Sequence, residues 1–174
     1  MTDEKARRWA KQRSALHEGQ ASRRVWVSDY ELKGIAGEKA LADWCGTTVQ
    51  QLTHKRGDDG KDQIIWFRGD DGRPIRCKTD VKCAEVPEPK LWVEKHKADD
   101  PEKRAKVYIV ARYYPATETA ILLRWTWLGM VLRAPVVVTP KGSISYEVPF
   151  AKLRDLGELR TRFIRVEPPE EAAT

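Results

Sequence analysis

Glu38, Asp62, Asp80 and Lys82 are the residues in this chain whose types and spacing could do chemistry. Between Pro74 and Cys83 the alternation predicts a strand. Its period of two puts Ile75, Cys77, Thr79, Val81 and Cys83 on a mostly apolar face, and Arg76, Lys78, Asp80 and Lys82 on the other. Asp80 and Lys82 then point the same way, one pleat apart. Asp62 opens the preceding strand, and in a hairpin the start of one strand lies near the end of the next. Glu38 has Ile35, Leu41, Ala42 and Cys45 as helical neighbours, so it falls on or beside an apolar stripe. A carboxylate there is costly unless it is paired or binds a metal. Hard carboxylate oxygens suit Mg²⁺ or Mn²⁺. Such an ion polarises a phosphate and acidifies a bound water. A neighbouring lysine can orient or deprotonate that water and stabilise developing charge.

Alternatives remain open at each position. Lys78 competes with Lys82 on the same face. Asp58 and Asp59 compete with Asp62, which is preferred because it opens the strand. Lys55, Arg56, Lys61, Arg73 and Lys78 are expected to track phosphates; their plainer reading is surface charge. In the blander reading of the whole set, Glu38 is an exposed helix acid beside Lys39, Asp62 a turn aspartate and Lys82 an edge-strand charge. His17, His54 and His96 are scattered without metal spacing, and no Ser/His/Asp set is visible.

Recognisable elements must position these groups. Ser28-Asp29-Tyr30-Glu31 reads as a capping box that opens a helix, and Gly46 ends it. Gly34 and Gly37 flank Glu38 and would let that helix approach closely. Residues 47–61 read as a polar connection with turn residues at Gly57–Gly60. A hairpin follows, Asp62–Phe67 and Pro74–Cys83, turning at Asp70-Asp71-Gly72. Residues 85–106, rich in Pro, Lys and acids, read as a long exposed loop. Val107–Tyr113 and Thr119–Trp127 read as strands around a turn at Pro115–Glu118, followed by a short helix at Leu128–Leu132. Val136–Val138 and Ile144–Val148 read as short strands, and Phe150–Arg160 as an amphipathic helix. The order of a helix, a run of strands and a closing helix suggests an α/β or α+β layer fold. Residues 1–24 form a basic arm, 25–166 the domain, and 167–174 an acidic tail expected to be disordered.

Composition narrows the function classes. The chain has 174 residues, enough for one domain, and a formal charge of +6, which suits a polyanionic partner. Cys45, Cys77 and Cys83 are odd in number and form no CxxC pair, so neither a disulfide framework nor a zinc ribbon is expected. The charged N-terminus has no signal-peptide pattern, and no apolar run is long enough for a membrane span; a cytoplasmic protein is the expectation.

The order Gly37-Glu38 on a helix, Gly60-Lys61-Asp62 ahead of a strand and Asp80-Val81-Lys82 on the next strand resembles the PD-(D/E)xK nuclease superfamily. Its small phage-type members are the most similar, with Gly34-Ile35-Ala36-Gly37-Glu38 opening the domain. The resemblance implies an α/β restriction-endonuclease-like core over residues 28–127, its central mixed β-sheet carrying the site at one edge and flanked by the Glu38 helix and the C-terminal helix, and a bacterial or phage source. It implies hydrolysis of DNA to 5′-phosphate products with Mg²⁺ or Mn²⁺, RNA not being excluded. Residue by residue, it implies Asp62 and Asp80 as direct metal ligands, Glu38 on the metal or its water, the Val81 carbonyl completing the shell, and Lys82 serving the nucleophile. Two rivals stand beside it: a non-catalytic nucleic-acid-binding module on the same fold, and an interaction protein whose basic arm binds an acidic partner. Substrate structure, sequence preference and oligomeric state, a homodimer included, are left open.

Overall fold

The computed structural model describes residues 28–46, 63–69, 71–85 and 90–164. The basic arm 1–24, the connection 47–61, Asp62, Asp70 and the acidic tail lie outside the described residues, as do the side chains of the Ser28/Glu31 capping box.

Helix α1 spans Ser28–Cys45. It ends at Gly46, whose φ of 66° is the left-handed conformation that glycine tolerates best. Its buried stripe is Ile35, Ala36, Leu41, Ala42 and Cys45. Strands β1 (Gln63–Arg68) and β2 (Pro74–Ala84) form the expected antiparallel hairpin, turning through Gly72 at φ 77°. In β1, Ile65 and Phe67 point inward and Ile64 is exposed. In β2, Cys77, Thr79 and Val81 are buried while Arg76, Lys78, Asp80 and Lys82 are not, which is the parity read from the sequence.

The segment read as a long exposed loop is in part structured: β3 spans Lys90–Glu94 and α2 spans Lys95–Ala98, with Leu91, Val93 and Ala98 buried. Strands β4 (Val107–Tyr114) and β5 (Thr119–Trp127), helix α3 (Leu128–Val131) and strands β6 (Val136–Val138) and β7 (Ile144–Pro149) follow as anticipated. The single amphipathic helix expected over Phe150–Arg160 is instead a 3-10 turn (Phe150–Lys152), strand β8 (Arg154–Asp155) and helix α4 (Leu156–Arg162), then strand β9 (Phe163–Ile164). The cause is visible in the packing. Leu153 belongs to one core and Leu159 to the other, on opposite faces of the large sheet, so one continuous helix cannot seat both. Asp155 starts α4 by accepting the Gly157 N–H at 2.8 Å.

The strands form a mixed six-stranded sheet, ordered β8-β5-β4-β2-β1-β9, and a separate three-stranded sheet, β3-β7-β6. In the large sheet only β2 and β4 run parallel. Helices cover one of its faces: Leu41 and Cys45 of α1 and Leu159 of α4 pack on Phe67, Val81, Ile109 and Trp125. The small sheet covers the other, with Leu91, Val93, Tyr146 and Val148 against Tyr108 and Val110. Helices on one face and strands on the other replace the expected flanking by helices alone. No helix among the described residues is long and apolar enough to cross a membrane.

Gly37 sets how closely α1 approaches β2. A Cβ there would stand 3.0 Å from both Val81 Cγ1 and Cys83 Cβ, whereas none would touch anything within 4 Å at Gly34. Close approach therefore rests on Gly37 alone. Gly37→Leu is expected to destabilise the fold by about 2 kcal/mol, because overpacking at this seam outweighs the helix propensity gained on leaving glycine. Urea unfolding measures this, and an unchanged midpoint would mean that the helix is not seated on β2 as described.

Candidate active site

Strand β2 carries both Asp80 and Lys82, and its two flanks differ. Against β1 the ladder runs from Arg68 opposite Pro74 to Gln63 opposite Thr79. Against β4 it runs from Thr79 opposite Val107 to Ala84 opposite Arg112. Asp80 and Lys82 therefore lie where β2 has extended past the described start of β1. The strand is interior to the sheet, not at its edge as expected, but this half of it has one described neighbour.

Asp80 and Lys82 form an ion pair, Nζ to Oδ2 2.7 Å, with side chains 15% and 36% exposed. Opposite Asp80 in register is Tyr108, which is buried. Burial pushes its phenol up to about 12, and the Asp80 charge adds to the shift. Tyr108 is thus a neutral hydroxyl at any physiological pH, beside the pair. Sequence reading missed it because Tyr108 lies in a nearly continuous apolar run, and only the parallel register with β2 brings it to Asp80.

Glu38 is 6% exposed, one of few buried charged side chains among the described residues. Its helix rests on the face of Val81 and Cys83, whereas Asp80 and Lys82 are on the opposite face, toward the small sheet. Glu38 and Asp80 therefore flank β2 from its two sides, next to the flank beyond Thr79, where β2 has no partner among the described residues of β1. An ion pair between Lys33 of α1 and Glu85, just after β2, ties helix and strand together at this end.

The remaining candidates are placed differently. Lys78 donates to the carbonyls of Glu102 (3.2 Å) and Lys103 (2.8 Å), holding the segment before β4. Lys106 N–H donates in return to the Lys78 carbonyl at 2.8 Å. Arg73 sits in the hairpin turn beside Asp71, roughly 20 Å from Asp80 along an extended strand, and is not brought to the pair. Asp62, Lys55, Arg56 and Lys61 lie outside the described residues. Among the described residues, no group of three or more His, Cys, Asp or Glu side chains could hold a metal ion. The described donors are two carboxylates, Asp80 and Glu38, with the Val81 carbonyl on the strand between Asp80 and Lys82.

The cysteines line the α1–β2 seam. Burial pushes the Cys45 thiol up to about 12 and Cys83 up to about 11, so neither is a nucleophile near neutral pH. Set against protein-family models, curated proteins and solved structures, the chain matches none.

Proposed function

We propose that the chain is a divalent-metal-dependent nuclease acting on DNA, with a restriction-endonuclease-like core made of α1, the β1–β2 hairpin and the parallel strand β4. The observation that carries this reading is the Asp80–Lys82 pair on the half of β2 beyond the described start of β1, with the buried acid Glu38 on the helix seated against Val81 and Cys83. A solvated charged face would not require a buried Glu38. The donor chemistry suits a hard cation: Asp80 and Glu38 would hold Mg²⁺ or Mn²⁺, with the Val81 carbonyl. Asp62 directly precedes Gln63, whose partner Thr79 is the neighbour of Asp80, and the proposal gives Asp62 the further carboxylate. A bound ion would supply Lewis-acid charge at the scissile phosphate and acidify a water. Lys82, released from Asp80 when that carboxylate turns to the metal, would orient or deprotonate the water and stabilise the charge that develops on phosphate oxygens. Tyr108 would keep a neutral, apolar floor under Asp80.

The second reading is a nucleic-acid-binding module without turnover, favoured by the carboxylate of Asp80 being already engaged by Lys82. Circular, linear and branched DNA incubated with Mg²⁺ or Mn²⁺, with and without EDTA, separates the two. Cleavage with either cation that EDTA abolishes is expected. DNA that is bound yet stays intact under every condition would assign the chain to the second reading.

A further inference from the structure

We infer that Arg112 and Tyr114 form a stacking platform for an unpaired nucleotide next to the Asp80–Lys82 pair. The inference rests on the nucleic-acid reading of that pair and gives it a substrate class: DNA with a single-stranded segment. The register supplies the first observation. Lys82 is opposite Val110, and Ala84 is opposite Arg112, so Arg112 and Tyr114 continue along β4 on the face that carries Asp80, Lys82, Tyr108 and Val110. The second observation is where cover stops. Tyr108 and Val110 are buried under the small sheet, but Arg112 is exposed and Tyr114 half-buried. The face that is closed over the start of β4 is thus open at its end.

The third observation is the pairing at that open end. The Arg112 guanidinium lies over the Tyr114 ring, 5.1 Å from its centroid, and no ion pair of Arg112 is found among the described residues. A cation held over an aromatic face can still bind a phosphate. The Tyr114 backbone opens a tight turn, where Thr117 N–H reaches the Tyr114 carbonyl at 3.3 Å. Each pleat advances about 7 Å along the strand. Lys82 on β2 and Arg112, two residues past its partner Val110 on β4, are thus diagonal neighbours about 8 Å apart, and Tyr114 follows about 7 Å further along β4, spacings near one backbone repeat of an extended nucleic-acid strand. With a phosphate at Lys82, the next phosphate falls at Arg112 and a base at Tyr114. Stacking requires a free base face, which a closed duplex lacks at this depth and a single strand offers.

The test is equilibrium binding of the full chain in EDTA, so that turnover plays no part. Fluorescence anisotropy would use a duplex bearing a short single-stranded thymidine tail against the same duplex blunt-ended. The wild-type chain should prefer the tailed duplex. Tyr114→Ala should shrink that preference by roughly tenfold, the worth of one stacked base, and Tyr114→Phe should restore it. Arg112→Ala should lower the log–log salt slope for the tailed duplex by about 0.7, one phosphate contact on a single strand. A preference untouched by Tyr114→Ala, or a salt slope untouched by Arg112→Ala, overturns the platform. Adding Mg²⁺ to the same complexes separates the two readings. A tail preference without cleavage removes hydrolysis and leaves the platform, whereas cleavage without a tail preference removes the platform and leaves the nuclease.

Discussion

Lys82→Ala is expected to lower the cleavage rate by about a hundredfold or more, the usual loss when a positioned proton-transfer group is removed. Mn²⁺ affinity, measured by calorimetry, should survive or tighten, because the variant removes a cation bonded to the Asp80 carboxylate at 2.7 Å. Asp80→Ala should lose metal affinity and activity together. Lys78 is the control on the same face. Its amine is bonded to the carbonyls of Glu102 and Lys103, so Lys78→Ala should cost about 1 kcal/mol of stability and leave the rate near normal. The reverse result, with Lys78→Ala dead and Lys82→Ala active, would mean that the chemistry lies elsewhere on β2 and the site must be redrawn.

Trp125→Ala should be the most damaging single change to the fold. Trp125 is 0% exposed, lies 4.9 Å from Trp127 in an edge-on contact and is covered by the Arg154 guanidinium. Its indole N–H donates to the Asp155 carbonyl at 2.8 Å, which pins β8 and the start of α4 to β5. Truncation to alanine is expected to cost about 3–5 kcal/mol from lost burial and the cavity left behind. It also removes the hydrogen bond to the part-buried Asp155 carbonyl, at about 1 kcal/mol more. Trp125→Phe, which keeps most of the apolar volume but loses the hydrogen bond, should fall well short of that. Chemical denaturation compares the two. Equal losses would mean that the hydrogen bond and not the packing dominates, and a small loss in both would place Trp125 outside the core.

What could be read from the sequence was local. Period-two alternation in β2 put Asp80 and Lys82 on one face, and the helical stripe put Glu38 among buried residues; both follow from geometry within one element. The hairpin was legible because its turn carries Gly72 between two alternating runs. Strand β3 was not, since its partner is far along the chain: the Trp92 indole bonds Glu147, 55 residues away. Its five residues sit in a stretch whose prolines and charges look like loop, and only β7 makes Leu91 and Val93 a core face. The relation between Glu38 and Asp80 was half legible. Burial of the acid could be read, but that α1 covers the face of β2 opposite to Asp80 depends on sheet packing. The roles of Lys78 and Arg73 were invisible for a similar reason, because the partners of Lys78 belong to the segment before β4 and the distance of Arg73 is set by the length of β2.

The order in which strands enter the two sheets has a consequence for how the chain comes apart. The chain lays β1 and β2 in the large sheet, β3 in the small one, β4 and β5 back in the large, β6 and β7 in the small, and β8 and β9 in the large again. No single cut yields two pieces that each hold a whole sheet. Ending the chain before β7 strips β3 of its described partner while leaving the Asp80–Lys82 strand nominally complete. The layers are therefore interdependent, and proteolytic nicking or truncation should release no stable half. Loss of the small sheet and exposure of the large sheet's Tyr108 face become one cooperative event, so the Asp80–Lys82 pair, which lies on that face, loses its setting with the layer.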